Sequence, residues 1–224
     1  PDNAFNSCFK TLSNQENNSN LNTKNEASLN NITSSINEQT NSIITPKFYK
    51  LIQTDKITTD DLNKILKLYP PINDGIELET RPPMEFEDKS IYYGEWDKFN
   101  NLRHGRGIKQ WIEGTRYEGY WSKDKASGIG KLIHSDGDIY EGEWLNDKPN
   151  GKGSYIHKDG TKYEGDWKND KQDGQGKEYW ADGSNYVGGY KDGKKQGFGK
   201  FKWSDGSSYE GNFDNNNING KGTY

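Results

Sequence analysis

Three groups of residues in this chain have types and spacings that could do chemistry. His134 and His157 stand 23 residues apart, and two imidazoles could ligate a metal at the usual bond length of ~2 Å. Gly188 to Lys194, GGYKDGK, has the G-x-x-x-x-G-K form of a loop that cradles phosphate. Glu141 and Glu143 could act as an acid–base pair. Each has a plainer reading. Lys195 occupies the place where a phosphate loop needs Ser or Thr for magnesium, and no helix follows to offer its N-terminus. The paired carboxylates recur at equal spacing along the chain, which reads as a surface ladder. The two histidines take the position that Trp111, Trp180 and Trp203 take elsewhere, so they read as members of a ring stack, two strands and roughly 10 Å apart. His104 falls in a turn and reads as structural or solvent-facing. Asn17-Asn18-Ser19 and Asn31-Ile32-Thr33 match a glycosylation pattern that an Asn-rich tract produces by chance. No kinase signature or nucleophile elbow is present. The chain reads as a non-enzyme with no catalytic residue, no cofactor and no metal.

The elements that carry these residues are unevenly composed. Only 29% of the 224 residues are hydrophobic, against ~45–50% in an ordinary globular chain. The apolar material is aromatic instead, and all seven Trp lie beyond residue 91. A net charge of -4 gives no electrostatic footprint for nucleic acid. The lone Cys8 excludes an internal disulfide framework and suggests a reducing, cytoplasmic compartment. No apolar run approaches the ~20 residues that span a bilayer. The chain opens on Pro1 instead of Met, which reads as a fragment.

Three segments follow. Residues 1–45 are Asn- and Ser-rich and are expected to be disordered alone. Residues 46–91 form a linker with a short amphipathic helix at 59–69. Thr59 or Asp60 is expected to cap it, and Pro70 to stop it. Its stripe of Leu62, Ile65, Leu66 and Tyr69 must dock on something: the first hairpin beyond it, whose edge it would cover, or a partner chain. Beyond the helix, RPPMEFEDKS reads as an extended lead-in.

Residues 92–224 repeat one phrase. Tyr92-Tyr93-Gly94-Glu95-Trp96 opens it, and Tyr117, Tyr140, Tyr163, Tyr186 and Tyr209 start the later copies. Every unit then supplies Gly-x-Gly, at 105/107, 128/130, 151/153, 174/176, 197/199 and 220/222. Tyr140, Gly142 and Trp144 alternate with period two and share one strand face, with Glu141 and Glu143 on the other. Asp-Gly before the next Tyr is a hairpin signal. The expected fold class is therefore all-β: an elongated, twisted antiparallel meander of stacked hairpins, about eleven strands long. Aromatic rings lie over bare glycines in place of an aliphatic core. The acids Glu95, Glu118, Glu141, Glu143, Glu164, Asp166 and Glu210, with neighbouring lysines, make a solvated face. Basic and acidic residues balance across 92–224 at 21 each.

Tyr-x-Gly-x-Trp, then Gly-x-Gly, then Asp-Gly, in register through 92–224, resembles the MORN repeat family. Gly189 and Tyr190, and Phe213, depart from its Glu and Trp positions. The resemblance implies an elongated scaffold, often dimerising, in cytoskeletal and ciliary assemblies such as the radial spokes of axonemes. It also implies repeats fused to phosphatidylinositol phosphate kinases or a histone lysine methyltransferase, and a long-attributed binding to acidic phospholipid. The expected partners are other protein chains, held as an extended segment or helix against the ring face. Tyr117, Trp121, Tyr140, Trp144, Tyr163, Trp167, Trp180 and Trp203 are the expected partner-binding residues. A homodimer is possible under the same resemblance. A phospholipid-binding or regulatory module of a larger enzyme is the second reading, against which the balanced charge argues.

Overall fold

A computed structural model describes residues 57–224 of the chain; the expectations for the Asn-rich tract lie outside those residues. Helix α1 spans Thr59–Leu68. It is followed by fourteen strands in one sheet. β1 (Leu78–Thr80) and β2 (Met84–Glu85) are short. The rest form hairpin pairs: β3 (Ile91–Asp97) with β4 (Arg103–Gln110), β5 (Arg116–Ser122) with β6 (Lys125–Ile133), and β7 (Ile139–Leu145) with β8 (Lys148–Ile156). β9 (Lys162–Lys168) and β10 (Lys171–Tyr179), β11 (Asn185–Lys191) and β12 (Lys194–Lys202), and β13 (Ser208–Asp214) and β14 (Asn217–Thr223) complete the series. Every strand from β3 on pairs antiparallel with the next in sequence, as a meander requires.

Two kinds of turn alternate, each dictated by its residues. Asn146 and Asp147, at φ 51° and 65°, form a two-residue turn in the left-handed conformation that Asn and Asp tolerate. Lys123-Asp124, Asn169-Asp170 and Asn215-Asn216 repeat it. At the other end Gly137, at φ 102°, closes a loop in which His134 and Asp138 bond through their backbones.

The two glycines of Gly-x-Gly have different jobs. Each second glycine belongs to a ladder that crosses the sheet from Gly94 through Gly107, Gly119, Gly130, Gly142 and Gly153 to Gly222. A tyrosine ring lies flat against this floor: a Cβ on Gly153 would stand 2.3 Å from the Tyr140 hydroxyl. Each first glycine sits in a bulge. Gly151, at φ 103°, falls where the β7–β8 register shifts between Gly142 and Trp144.

Helix α1 is capped by Thr58, one residue before the first of the expected caps. Only Thr58 has an acid three residues on, and Thr58 and Asp61 form a reciprocal capping box. The helix does not cover the sheet edge. β1 and β2 pair with β3 there, while α1 lies on the face opposite the tyrosines. Ile57, Ile65 and Tyr69 pack there with Ile108, Ile91, Tyr93 and Tyr120. Arg106 fastens its C-terminal end, donating from Nη1 to the Leu66 and Tyr69 carbonyls at 3.0 and 3.1 Å while pairing with Glu95 at 2.6 Å. These are carbonyls that a helix end leaves without partners.

Candidate functional site

The ring face begins as an uninterrupted core. Tyr92 meets Trp96 and Trp121 edge-on, Tyr117 meets Trp121 and Trp144, and Tyr140 meets Trp144 and Trp167, all at 5.1–5.3 Å between centroids. The chain of rings continues through Tyr163, Tyr190, Tyr186 and Phe213 to Tyr209. The tyrosine that opens each unit donates its hydroxyl to the carbonyl three residues on, as Tyr140 does to Glu143 at 2.9 Å. Trp121, Trp144 and Trp167 donate from Nε1 to Gly107, Gly130 and Gly153 of the preceding unit at 3.0–3.2 Å. Burial raises the pKa of Tyr117, Tyr140 and Tyr163 well above ordinary phenol values.

Six of the eight expected partner-binding residues are spent on this core. Tyr117, Tyr140 and Tyr163 are 0% exposed, and Trp121, Trp144 and Trp167 only 2–3%. They cannot offer surface to a partner, because glycine beneath and the next repeat's rings beside them already enclose each one. Trp180 and Trp203 differ: they are half-buried at the edge of the cluster. Phe201 lies between them, at 5.2 Å from Trp180 and 4.8 Å from Trp203. Tyr224 stacks on Trp203 at 5.9 Å. These rings form a shelf along the strand ends of β10, β12 and β14.

The shelf has a charged neighbour that the sequence pattern did not single out. Lys195 donates to Glu178 Oε2 at 2.6 Å, and the Tyr190 hydroxyl donates to the same oxygen at 2.8 Å. Lys195 Nζ lies 4.7 Å from the Trp180 ring centre, a cation–π distance. Burial, and then the Glu178 charge, push the Tyr186 phenol up to about 12 and Tyr190 higher still. The signal was present: Lys195 and Glu178 stand where earlier units carry Ala126 or Pro149, and Leu132 or Tyr155.

The histidines go to separate structural posts. His157 Nδ1 lies 2.7 Å from Asp138 Oδ2, which also accepts from the Tyr155 hydroxyl at 2.9 Å. Burial pushes the Asp138 carboxyl up, but the Lys158 N–H, Tyr155 and His157 outweigh it and hold it below the ordinary range. His134 is buried, which lowers its pKa and keeps it neutral. His104 lies in β4, buried, with Nε2 2.7 Å from Asp74, so it is neither in a turn nor facing solvent. Among the described residues no group of three or more His, Cys, Asp or Glu could hold a metal ion. The GGYKDGK stretch is the end of β11 and its turn, and the Gly193 N–H is tied to the Gln172 carbonyl. The acids of Gly-x-Trp are more than a solvated ladder. Glu95, Glu143 and Asp166 accept the bulge N–H of Arg106, Lys152 and Gln175 at 2.6, 2.9 and 2.8 Å. No described helix is long and apolar enough to cross a membrane.

No curated protein sequence matches the chain. Among solved structures, the TCP domain of SAS-4 (dCPAP) from Drosophila melanogaster, in complex with a proline-rich motif of Ana2 (dSTIL), is similar at 10% identity. That match covers 63% of this chain and 83% of that one, with a TM-score of 0.33. The profile of the MORN repeat matches residues 92–116, 117–139, 140–162, 163–185, 186–208 and 209–224. With six consecutive matches spanning more than half its length, the chain belongs to the MORN repeat family.

Proposed function

We propose that the chain is a non-enzymatic scaffold that holds an extended segment or helix of another protein against the open end of its ring face. The observation that carries this reading is the half-buried shelf of Trp180, Phe201 and Trp203. Large aromatic rings are the usual anchors of a protein interface, and the Lys195–Glu178 pair packed against Trp180 holds this shelf in place. Family membership supports an interaction module. A cytoskeletal or ciliary setting rests on the family resemblance alone. The equal counts of acid and base across the repeats favour a protein partner over an anionic lipid surface.

The test is affinity capture with the full chain and with Trp180→Ala/Trp203→Ala. Loss of captured proteins with an unchanged β signal in circular dichroism is expected. Capture that survives the double substitution, or a variant that unfolds, would remove the shelf from this role. Pelleting with phosphoinositide vesicles at physiological salt is expected to leave the protein in the supernatant, and strong pelleting would favour a lipid-binding module instead.

A further inference from the structure

The face opposite the tyrosines is ordered in three rows. One row runs Ile91, Gln110, Arg116, Ile133, Ile139, Ile156, Lys162, Tyr179, Asn185 and Lys202 as successive strand partners. The middle row runs from Tyr93 and Ile108 through Glu118, Lys131, Glu141, Ser154, Glu164, Lys177, Val187 and Lys200 to Glu210. The third holds the residues between the glycines, with Arg106 against Tyr120, Lys152 against Asp166 and Phe198 against Asn212. Helix α1 sits where all three rows turn apolar together: Ile91 in the first, Tyr93 and Ile108 in the second, Tyr120 in the third.

The rows turn apolar together a second time, where nothing described covers them. Tyr179 in the first row is 41% exposed, Val187 in the second 42%, and Phe198 in the third 62%. Val187 replaces the acid that Glu118, Glu141, Glu164 and Glu210 supply, and Gly189 the one that Glu143 and Asp166 supply. Val187 and Phe198 thus meet Tyr179 on one diagonal across β10, β11 and β12. It runs the same way as the diagonal under α1 across β3, β4 and β5. Two strand spacings and about four residues of strand make that diagonal ~17 Å long, which is about eleven residues of α-helix at 1.5 Å each. Helix α1 has 10. Beside Phe198, a shallow depression of about 480 Å³ is lined by Glu210, Gly211, Lys221, Gly222 and Thr223.

Charge selects the occupant. Losing the acid at 187 leaves lysine on both sides of Val187, namely Lys177 and Lys200. Lys200 pairs with Glu210 at 3.2 Å, whereas Lys177 and Lys202 have no carboxylate within 4 Å among the described residues. Glu164 and Glu210 close the middle row on either side, so the basic surplus is about one helix wide and a poor match to a plane of lipid headgroups. We propose that Tyr179, Val187 and Phe198 form a second helix seat, which takes a short amphipathic helix of a partner protein whose apolar stripe is flanked by acids. This seat is separate from the ring shelf and stands or falls without it.

A synthetic peptide of residues 57–72 carrying K64E and K67E serves as the probe, titrated into the ¹⁵N-labelled full chain. Shifts centred on Val187, Gly189, Phe198 and Lys200 are expected. Val187→Glu/Phe198→Gln should weaken binding at least tenfold without changing the melting temperature, because Glu141 and Gln175 already occupy the equivalent places in other repeats. Trp180→Ala/Trp203→Ala should leave it unchanged. Absence of binding overturns the proposal, as do shifts centred on Ile108 and Tyr120, which would mean displacement of α1. Sedimentation with phosphatidylserine vesicles that Val187→Glu/Phe198→Gln abolishes would overturn it in favour of a membrane.

Discussion

At residue 149 a single missing N–H shows how far the repeat is tuned. In three other units the residue at this position donates its backbone N–H to a turn side chain of the next unit: Arg103 to Asp124, Ala126 to Asp147 and Lys195 to Asn216, at 2.7–2.8 Å. Pro149 has no N–H, so the Asp170 Oδ1 that should accept it is buried without a partner. Burial pushes the Asp170 carboxyl up to about 6. Its folded-state value lies above the unfolded one, so the folded state holds the proton more tightly. The stability linked to this group is present below pH ~4 and lost as pH rises through about 6. Pro149→Ala restores the donor, and Ala126 shows that the smaller side chain fits the equivalent place. A hydrogen bond to a charged group contributes ~1.5–3 kcal/mol, offset by ~0.4–1 kcal/mol from the freer unfolded chain. Urea unfolding should therefore show Pro149→Ala more stable by about 1 kcal/mol at pH 7.5, with the gap closing toward pH 4.5. A gap independent of pH would mean that the new N–H does not reach Asp170.

Between hairpins, the two glycine types should respond differently to the same methyl group. A Cβ on Gly153 would stand 2.3 Å from the Tyr140 hydroxyl, whose buried ring is pinned by its bond to the Glu143 carbonyl. Overpacking of this kind costs about 1–3 kcal/mol, and the upper end is expected for Gly153→Ala. Gly160 has nothing within 4 Å of its would-be Cβ, and only its φ of 90° resists. Gly160→Ala should cost about 1 kcal/mol, the left-handed penalty alone. Equal losses in chemical denaturation would show that the ring does not rest on Gly153. This ring-over-glycine contact was legible in the sequence, because Tyr, Gly and Trp on alternate positions leave one face no other filler. The post of α1 was not. Its stripe says only that it must dock, and Arg106, which fixes the place through helix carbonyls, reads in sequence as one more charged residue. Of the two lead-in strands, Met84–Glu85 falls in the stretch that reads as extended, whereas Leu78–Thr80 is too short to show a period. The acids that close the bulges read in sequence as surface charge because their partners are backbone N–H groups, which no sequence displays. The burial of six of the named rings was not legible, since a pattern of aromatic residues does not say whether the next repeat will enclose them.

Across the whole molecule, stability should pass only between neighbours, as in any array whose repeats touch only the next. The ring chain is continuous, yet its fastening changes partway along. Trp121, Trp144 and Trp167 each bond a glycine carbonyl fourteen residues back. Tyr190 turns its hydroxyl to Glu178 instead, and Phe213 has no donor at all. The last two hairpins are thus held by ring contact without that bond, and every residue of β14 is exposed. Amide exchange should be fastest in β13 and β14 and slowest among β5 to β9. Phe213→Trp places an indole N–H where the Gly199 carbonyl stands fourteen residues back, and one such bond contributes ~1 kcal/mol. That corresponds to about fivefold slower exchange, confined to β13, β14 and the adjoining β12, with β3 to β9 unchanged. If protection rose equally through all the repeats, the sheet would be opening as one cooperative body, and the neighbour-only account of its stability would be wrong.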